Sequence, residues 1–345
     1  MSLYSHRTES FRIELLDYQD KTIGELDGVD GGNLRWNANA PLPGGGDIQL
    51  ADINPDINYS ADRIRPWRRV GDQEWPLGVF VMAAPETLHS PTGRFRPISL
   101  IDKITVVADD RLTQTLQIPA GANVVDAAVQ QIQATGESRI LATPSDTELT
   151  NDMTWPPGTS RLRVINDLMD VVNYWALSTD RRGQFVVQPY VAPADRPVAW
   201  TFEEGEDTGL HLPEWQYELP FWDATNHVTL SSQEDDDGNV YVAYAIDDNP
   251  DSPTSTVNMK RTLNPIVEEN VEAESQLALQ LQANRKLLDN SNTVGVMTVT
   301  HAFVPVWFRD GIRFITGDTD TAATVVEMDM ELTPGSLVQS KWRQT

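Results

Sequence analysis

The sequence predicts a β-rich α+β fold, and two observations support that prediction. Short stretches of alternating apolar and polar residues, separated by turn signals, fill the first hundred residues and the last fifty. Such alternation is typical of half-buried strands, and many short strands separated by turns indicate a sandwich or a barrel. Helical spacing of apolar residues is confined to three segments between these regions. We therefore expect helices inserted between two strand-rich regions.

The N-terminal region is expected to form strands joined by glycine-rich turns. Ser10 to Leu16 alternates with period two, as a half-buried strand does. Further strands are predicted at residues 47–50, 63–70, 77–83 and 94–100. The Asp-Gly-Gly at 30–32 indicates a turn, and the run Pro41 to Gly46 predicts a loop. Because neither lysine nor a helix follows the glycines at 44–46, a flexible loop is favoured over a phosphate-binding loop.

Two helices and a hairpin are predicted in the middle of the chain. Asn123 is a candidate N-cap for a helix that should stop near Gly136. A second helix is expected from Ser160 to Tyr174, where apolar residues recur on one face. Residues 175–190 then predict a hairpin around an Asp-Arg-Arg-Gly turn.

A third and longest helix is predicted from Ile266 to Asp289, followed by strands. Its first half is acidic and its end is basic, which suits the helix dipole. The stripe expected to be buried comprises Val271, Ala278, Leu281 and Leu288. The last strands are predicted at residues 295–303, 311–315, 324–332 and 336–343.

Composition excludes several classes of function. The 345 residues include 51 acidic and 26 basic ones, for a formal net charge of −25. This balance argues against a protein that holds DNA phosphates through a basic surface. With no cysteine there is no disulfide, thiol nucleophile or thiolate metal site, and five scattered histidines do not suggest a zinc enzyme. No apolar stretch approaches the ~20 residues of a membrane span.

The negative charge is concentrated in residues 195–251. This segment holds 15 acidic residues and one basic residue, and aromatic residues are interleaved with them. Because disordered acidic tails are poor in aromatics, we expect a folded segment with one charged face. That face is either a solvated surface or an acidic wall past which a polyanion moves without sticking. The candidates for such a wall are Glu203, Glu204, Glu206, Asp207, Asp235, Asp236 and Asp237.

No sequence motif for catalysis, for a cofactor or for a metal is found. The P-loop, the dinucleotide-binding glycine pattern, the zinc-protease helix and the serine-hydrolase elbow are all missing from the sequence. An EF-hand alignment with Gly238 at the sixth position puts Gln233 first and Tyr244 twelfth, where carboxylates are required. We therefore predict a charged turn at 235–238, before a strand at 240–245, and no cofactor.

Three stretches and the C-terminus together form a pattern of turns and packing residues. The stretches are 75–103, 116–136 and 162–198, and the C-terminal part spans 310–343. The residues that define the pattern are Trp75, Pro76, Leu77, Gly78, Pro85, Asp102, Pro119, Gly121, Trp175, Gly183, Pro334 and Gly335. This pattern resembles the minor tail proteins of long-tailed phages of actinobacteria, which are similar to the baseplate hub proteins of tailed phages.

The resemblance implies two tail-tube-like β-barrel or sandwich domains with helical and mixed segments inserted. The implied division is a first tube-like β-domain at 1–115, completed by part of 195–260; a mixed α/β insert with two helices and a hairpin at 116–195; an acidic, aromatic-containing β segment at 196–265; and the long helix with the last strands of the second tube-like β-domain at 266–345. Because the chain stops at Thr345, soon after the last predicted strand, no fibre or enzyme domain is expected on it.

The resemblance further implies a structural virion protein without enzymatic activity. Such a hub would form a homotrimeric ring that continues the tail tube at the tail tip and lets phage DNA pass without sticking. Its expected partners are the distal tail protein, the tail tube, the tape measure protein and other tail-tip or fibre proteins. It would be made in the host cytoplasm and incorporated into the virion.

Other functions stay open at this point. A receptor-binding or cell-wall-carbohydrate-binding tail-tip module would bind glycans in isolation, and a cell-wall hydrolase would digest host envelope. A hub of a phage-derived injection particle differs from a phage hub only in its neighbours.

Overall fold

The computed structural model describes residues 7–51, 57–83, 87–90, 93–205, 209–219, 224–234, 238–273, 275–291, 295–317 and 319–345. The strands are β1 (Glu9–Leu16), β2 (Thr22–Glu25), β3 (Val29–Asn37), β4 (Gly44–Ala51), β5 (Arg63–Val70), β6 (Gln73–Pro76), β7 (Phe80–Ala83), β8 (Leu88–Ser90), β9 (Gly93–Asp102), β10 (Leu116–Ile118), β11 (Ile140–Ala142), β12 (Met153–Trp155), β13 (Ser178–Thr179), β14 (Phe185–Val187), β15 (Val198–Glu203), β16 (His211–Glu218), β17 (His227–Ser232), β18 (Val242–Ile246), β19 (Ile266–Val271), β20 (Val296–His301), β21 (Gly311–Thr316), β22 (Thr319–Glu331) and β23 (Val338–Gln344). The helices are α1 (Thr105–Asp109), α2 (Val124–Gln133), α3 (Arg161–Val171), α4 (Thr256–Met259) and α5 (Gln276–Asn290), with a 3-10 turn at Pro193–Asp195.

A sheet of fifteen strands joins the two ends of the chain. Its main path runs β16-β20-β23-β22-β3-β4-β9-β7-β5-β1-β2. The antiparallel pair of β3 and β22, with Trp36 opposite Met328, connects the N-terminal strands to the C-terminal ones. One apolar core lies within this sheet and includes Phe80 from the first region and Trp342 from the last, both almost fully buried. The predicted β-rich α+β, tail-tube-like architecture is therefore confirmed.

The insert after β9 has a core of its own, built mainly on α2 and α3. Val124, Ile132, Ile165 and Leu168 are fully buried in it. The short strands β11 and β14 run parallel, and β13 pairs with β14 in an antiparallel manner. A separate two-stranded ladder of β10 and β12 completes the insert.

A third, smaller core is formed by one sheet and one helix. The sheet has the strand order β18-β17-β19, and α5 packs on one face of it. Val228 and Leu230 of β17 meet Leu279 and Ala283 of α5 in this core, all fully buried. Apolar burial on this single face stabilises the unit, because a small sheet needs a hydrophobic face or a packed helix to be stable.

The two predicted helix starts in the insert are confirmed. The side chain of Asn123 accepts a hydrogen bond from the N–H of Asp126 at 3.0 Å, and Ser160 accepts one from Arg163 at 3.2 Å. These are N-cap bonds to otherwise unpaired backbone donors. The second helix ends at Val171 rather than at 174, and the predicted hairpin is present as the short pair β13 and β14.

The turn predicted at residues 30–32 is wrong, because these residues belong to a strand, and the loop predicted from Pro41 to Gly46 is confirmed only for its first three residues. Residues 30–32 lie in β3 and residues 44–46 open β4. The two strands pair with a register shift between Val29 and Gly32. A Cβ at Gly32 would collide with the carbonyl of Asp47, and one at Gly46 with the carbonyl of Asn33. The glycines therefore permit close approach of two backbones.

The prediction of a long third helix is also wrong for the first half of that helix. Residues 266–271 form β19, which pairs in parallel with β17, and α5 begins only after its N-cap Ser275. The β-branched residues at 266, 267 and 271 fit a strand, and pairing with β17 satisfies the backbone there. The buried residues of α5 are Leu279, Gln282 and Ala283, whereas Leu281 and Leu288 are exposed.

The remaining strand predictions are confirmed with shifted boundaries. The strand predicted at 77–83 begins at Phe80, because Gly78 takes a φ of +103°. All four C-terminal strands are present as β20 to β23. The strand predicted at 240–245 is β18, and the predicted charged turn at Asp235–Asp237 lies outside the described residues.

Candidate functional site

Several residues of the resemblance pattern meet at one junction, where the N-terminal strands contact the insert. Gly78 donates its N–H to the carbonyl of Arg181 at 3.0 Å. Gly183 follows in the same turn with φ +78°, and a Cβ there would lie 2.5 Å from Cγ2 of Val79. The two glycines allow the loop before β7 and the β13–β14 turn to touch directly. Leu77 beside them is 1% exposed.

Asp102, at the end of β9, is buried in the same junction. Its Oδ2 accepts the N–H of Gly44 at 2.9 Å, and its Oδ1 accepts the N–H of Ile104 at 2.9 Å and the hydroxyl of Thr179 at 3.4 Å. Burial raises the pKa of Asp102 to about 6, against the opposite effect of these hydrogen bonds. The carboxyl group thus joins β4, α1 and the insert at one point.

Lys103 is the centre of a buried charge cluster formed by Asp20, Arg63, Lys103, Glu137 and Arg139. Its ammonium lies 2.5 Å from Oδ2 of Asp20 and 2.9 Å from Oε2 of Glu137. It donates hydrogen bonds to Oδ2 of Asp20 and, at 2.9 Å, to the carbonyl of Gly183, while the contact with Glu137 is an ion pair. The Lys103 side chain is fully buried, which makes these partners necessary.

Two arginines complete the buried charge cluster. Arg63 contacts Oδ1 of Asp20 at 2.8 Å and Oε1 of Glu137 at 2.5 Å, and Arg139 contacts Oδ2 of Asp20 at 3.2 Å. Burial lowers the pKa of Arg63, but the hydrogen bonds and charges of Glu137 and Asp20 outweigh burial and raise it. Three cations and two carboxylates leave a net charge of +1.

The charges of the buried charge cluster are paired with one another. The side chains of Asp20 and Lys103 are fully buried, and every charge has an oppositely charged partner. No solvent-reachable nucleophile or base is left over in it. Sequence reasoning missed this cluster. A weak signal was available, because Lys103 is a charged residue three positions after the strand predicted at 94–100 and directly before apolar Ile104.

Other pattern residues lie away from this junction. Trp75 of β6 packs its ring 5.7 Å from that of Phe303, and Pro76 beside it is buried. Trp175 lies at the opposite boundary of the insert, against the C-terminal strands. The pattern residue Pro85 lies outside the described residues.

The other pattern positions form exposed turns. Gly121, two residues after exposed Pro119, has φ +80° and donates its N–H to the carbonyl of Leu149 at 2.8 Å. Pro334 and Gly335 form the turn from β22 to β23, where Gly335 also has φ +80°. A positive φ favours glycine at both places.

Of the seven acidic candidates, Glu203 and Glu204 are described, and both are exposed. Glu204 accepts the hydroxyl of Thr316 at 2.6 Å and the N–H of Gly317 at 3.0 Å. These hydrogen bonds lower the pKa of Glu204 and tie it to Thr316 and Gly317 at the end of β21. Glu206, Asp207, Asp235, Asp236 and Asp237 lie outside the described residues.

The large sheet ends in exposed edge strands. Within the described residues, β16 pairs only with β20, and β2 pairs only with β1. Leu212 and Tyr217 of β16, with Leu219 just after it, are 41%, 49% and 37% exposed. An unpaired edge with apolar side chains is a surface that proteins normally cover or pair.

The small unit exposes two apolar faces. On its sheet these residues are Val242, Tyr244, Ile246 and Val267, and on α5 they are Leu277, Leu281 and Leu288. The edge of β18 is covered, because Gln276 and Gln280 donate to the carbonyls of Val242 and Tyr244 at 2.9 and 2.7 Å. Association through this unit would therefore use its faces rather than that edge.

Two further features bear on chemistry. No helix in the described parts of the chain is long and apolar enough to cross a membrane. Among the same residues, no group of three or more His, Asp or Glu side chains could hold a metal ion.

Comparisons with known proteins find relatives only in structure. No family model matches the sequence, and no curated protein matches it. A tail protein from Neisseria meningitidis MC58 superposes with a TM-score of 0.69 at 14% identity, over 97% of this chain and 96% of that one. The prophage MuSo2 tail protein from Shewanella oneidensis superposes with a TM-score of 0.64 at 11% sequence identity. The superposition covers 96% of this chain and 98% of that one.

A third similar structure comes from a secretion machine. An E. coli component of the type VI secretion system, itself described as similar to bacteriophage T4 tail proteins, gives a TM-score of 0.54 at 10% identity. The superposition covers 92% of this chain and 74% of that one. The chain therefore shares, over almost its whole length, the fold found in phage tail proteins.

Proposed function

We propose that the protein is a structural component of a phage tail, the hub of the tail tip or baseplate. The observation that supports this most strongly is the superposition on a tail protein over 97% of this chain and 96% of the other. A likeness of that extent includes the insert and the small unit as well as the large sheet. The division of the chain at residues 115, 195 and 265 belongs to the same proposal.

The hub is proposed to be a homotrimeric ring that continues the tail tube. Exposed edges on β16 and β2 would be covered by neighbouring copies on ring closure. The apolar faces of the small unit provide further surface for this contact, and a chain of formal charge −25 needs such apolar burial to offset self-repulsion. The remaining proposed partners are the distal tail protein, the tail tube, the tape measure protein and tip or fibre proteins.

The acidic segment is proposed to face the channel of that ring. The support is its charge, 15 acidic residues against one basic residue, and the exposure of Glu203 and Glu204. A wall of that sign repels phosphates and lets DNA pass during ejection. A reconstruction of the assembled tail with residues 195–251 wholly on the outer rim would overturn this part of the proposal.

Particle mass combined with electron microscopy tests the ring. We expect the purified chain to form trimers at micromolar concentration, with threefold images. The double variant Leu277→Asp/Leu281→Asp should remain folded, because both side chains are exposed, but shift the equilibrium to monomers. Leu141→Asp, at an exposed leucine of the insert, is the matched control. A wild-type chain that stays monomeric contradicts the trimer.

The role in the tail is tested separately, by locating the protein in purified particles with antibody labelling. We expect labelling at the tail tip and no digestion of host envelope by the isolated chain. Labelling elsewhere, or clearing in a zymogram, would overturn the hub. Glycan binding by a monomeric protein would favour the carbohydrate-binding alternative.

A further inference from the structure

A cavity of about 320 Å³ opens where distant parts of the chain meet. The loop after β3, the insert, the segment before β15, the end of α5 and the C-terminal strands all line it. The lining residues that matter are Trp175, Arg196, Asp289, Arg309, Thr324 and Arg343, and we call this site the arginine cavity. It does not overlap the buried charge cluster.

Two guanidinium groups stack on Trp175 in this cavity. The Cζ of Arg309 lies 4.6 Å from the ring centroid, and that of Arg196 lies 4.9 Å from it. Arg196 also donates its Nε–H to the carbonyl of Val191 at 3.2 Å. Arg309 forms no ion pair and donates no side-chain hydrogen bond within the part of the chain that the structure describes. The aromatic ring therefore holds a cation whose N–H donors are unused.

The third guanidinium leaves the charge unbalanced. Arg343 donates to the carbonyls of Asp289 and Leu288 at 2.6 and 2.8 Å, at the C-terminal end of α5. The one lining carboxylate, Asp289, already accepts the phenol of Tyr190 at 2.6 Å and lies 3.7 Å from Arg285. Three cations thus face a carboxylate that is already engaged, in a chain that is strongly acidic overall.

Burial and the charge of Arg196 lower the pKa of Arg309 to about 10, so that its guanidinium is still cationic at neutral pH. Thr324 of β22 supplies an independent sign of a missing partner. It is 4% exposed, it lines the cavity, and its buried hydroxyl has no hydrogen-bond partner among the residues described. Buried polar groups are nearly always paired, so a lone hydroxyl beside unused cationic donors calls for an explanation.

We propose that the arginine cavity binds a small oxyanion, with Arg309, Arg196 and Thr324 as its donors. Guanidinium groups bind phosphate and carboxylate oxygens in a bidentate manner, and a hydroxyl adds a further donor. A bound oxyanion would balance the cations at the meeting point of the insert, the small unit and the C-terminal strands. Its source is either a free phosphate or the carboxylate of an acidic side chain from a neighbouring protein.

Thermal unfolding and titration calorimetry of the full-length chain test this site. The probes are sodium phosphate and sodium acetate, each compared with sodium chloride at equal ionic strength. We expect one probe to raise the midpoint temperature of unfolding above the value measured in chloride. The reason is that an anion that binds the native state and not the unfolded state stabilises the native state. A stronger effect of phosphate identifies free phosphate as the ligand, and a stronger effect of acetate identifies a carboxylate.

Arg309→Gln separates this site from general salt effects, because phosphate also strengthens folded proteins by exclusion from their surface. We expect this variant to weaken anion affinity by about tenfold or more. The matched control is Arg313→Gln, an arginine exposed on β21, which should keep the wild-type response. An equal response of wild type and Arg309→Gln would overturn the proposal.

Thr324→Val provides a second test that does not depend on removing a charge. The change removes the unpaired hydroxyl at nearly constant volume, so the unfolding midpoint in chloride should stay level or rise. The additional midpoint shift in phosphate or acetate should shrink. A variant that is less stable in chloride and responds to anions like wild type contradicts a role for the hydroxyl in binding.

Discussion

The buried charge cluster and the arginine cavity lie at two boundaries of the insert and use similar side chains. In the first, three cations meet two carboxylates, and Lys103 has two carboxylate partners and a carbonyl acceptor. In the second, three guanidinium groups meet one carboxylate that Tyr190 and Arg285 already engage. The Asp20 and Lys103 side chains of the first are fully buried, and the second surrounds a cavity of about 320 Å³.

The difference indicates separate roles for the two boundaries. Charges in a low-dielectric interior are stable only when paired, so a complete cluster fixes two units without needing a ligand. An incomplete set that faces an open cavity leaves binding capacity for an anion. Substitutions at the two sites should therefore have very different effects on stability.

The largest effect is expected for Lys103→Met. Removing the buried ammonium leaves Asp20 and Glu137 short of a partner, and breaking a buried pair in this way costs about 3–5 kcal/mol of unfolding free energy. Lys341→Met is the matched control, because Lys341 pairs with Glu327 at 2.8 Å on the surface. We expect a loss of at most about 1 kcal/mol there. Urea unfolding measures both, and equal losses would show that the cluster is not a special stabilising element.

Gly183→Ala should be the next most disruptive change. The positive φ costs a non-glycine residue about 1–2 kcal/mol, and the new Cβ would lie 2.5 Å from Cγ2 of Val79, which adds about 1–3 kcal/mol. Gly136→Ala is the control, since it shares a similar φ of +88° but has open space around it. The amount by which Gly183→Ala loses more unfolding free energy than Gly136→Ala measures the contact between Gly183 and Val79. Combining Gly183→Ala with Val79→Ala should recover part of that excess, and failure to recover any would contradict it.

A smaller effect is expected at the same junction, in the pH dependence of the free energy of unfolding. The pKa of Asp102 is raised from 3.8 to about 6, so its contribution is greatest below pH 3.8 and is lost as pH rises through 6. Between pH 5 and pH 8 the loss amounts to about 1.4 kcal/mol. Urea unfolding gives the unfolding free energies of wild type and of Asp102→Asn at both pH values. We expect the difference, wild type minus variant, to be smaller at pH 8 than at pH 5 by this amount. A difference that is constant with pH would contradict the buried state of Asp102.

His301 makes this subtraction necessary. It is buried, and burial lowers its pKa to about 4, with Ser340 hydrogen-bonded to its Nε2 at 2.9 Å. Its contribution is present above pH 6.5 and is lost as pH falls through 4, opposite in sign to that of Asp102. The wild-type profile alone would mix the two effects. Because His301 is unchanged in Asp102→Asn, the difference isolates Asp102.

Local signals explain why much of the fold could be predicted from the sequence. The capping side chains of Asn123 and Ser160 act within three residues, and the strand predicted at 63–70 has the same bounds as β5. The helix prediction for residues 266–271 is wrong because these residues pair with β17, which lies about forty residues earlier in the chain. Glutamates are good helix formers, so a local pattern alone favours the wrong structure there.

The two boundaries of the insert were less accessible to sequence reasoning. The partners Asp20 and Arg139 are 119 residues apart, and only the folded chain brings them together. The family resemblance points to Asp102 and Gly183, and both lie at the junction between the N-terminal strands and the insert. Nothing local marks Arg309 and Arg196 as neighbours, because Trp175 between them belongs to another unit.

The smallest effect is expected for Arg309→Met, and its sign tests the comparison most directly. At the arginine cavity the substitution removes a cation that has no ion pair among the described residues and lies near Arg196, which relieves repulsion. The lost stacking on Trp175 is worth about 0.5–1 kcal/mol, so the two terms nearly cancel. In chloride buffer we expect a stability within about 1 kcal/mol of wild type. A loss as large as that of Lys103→Met would mean that Arg309 is already paired, and that the two boundaries are alike.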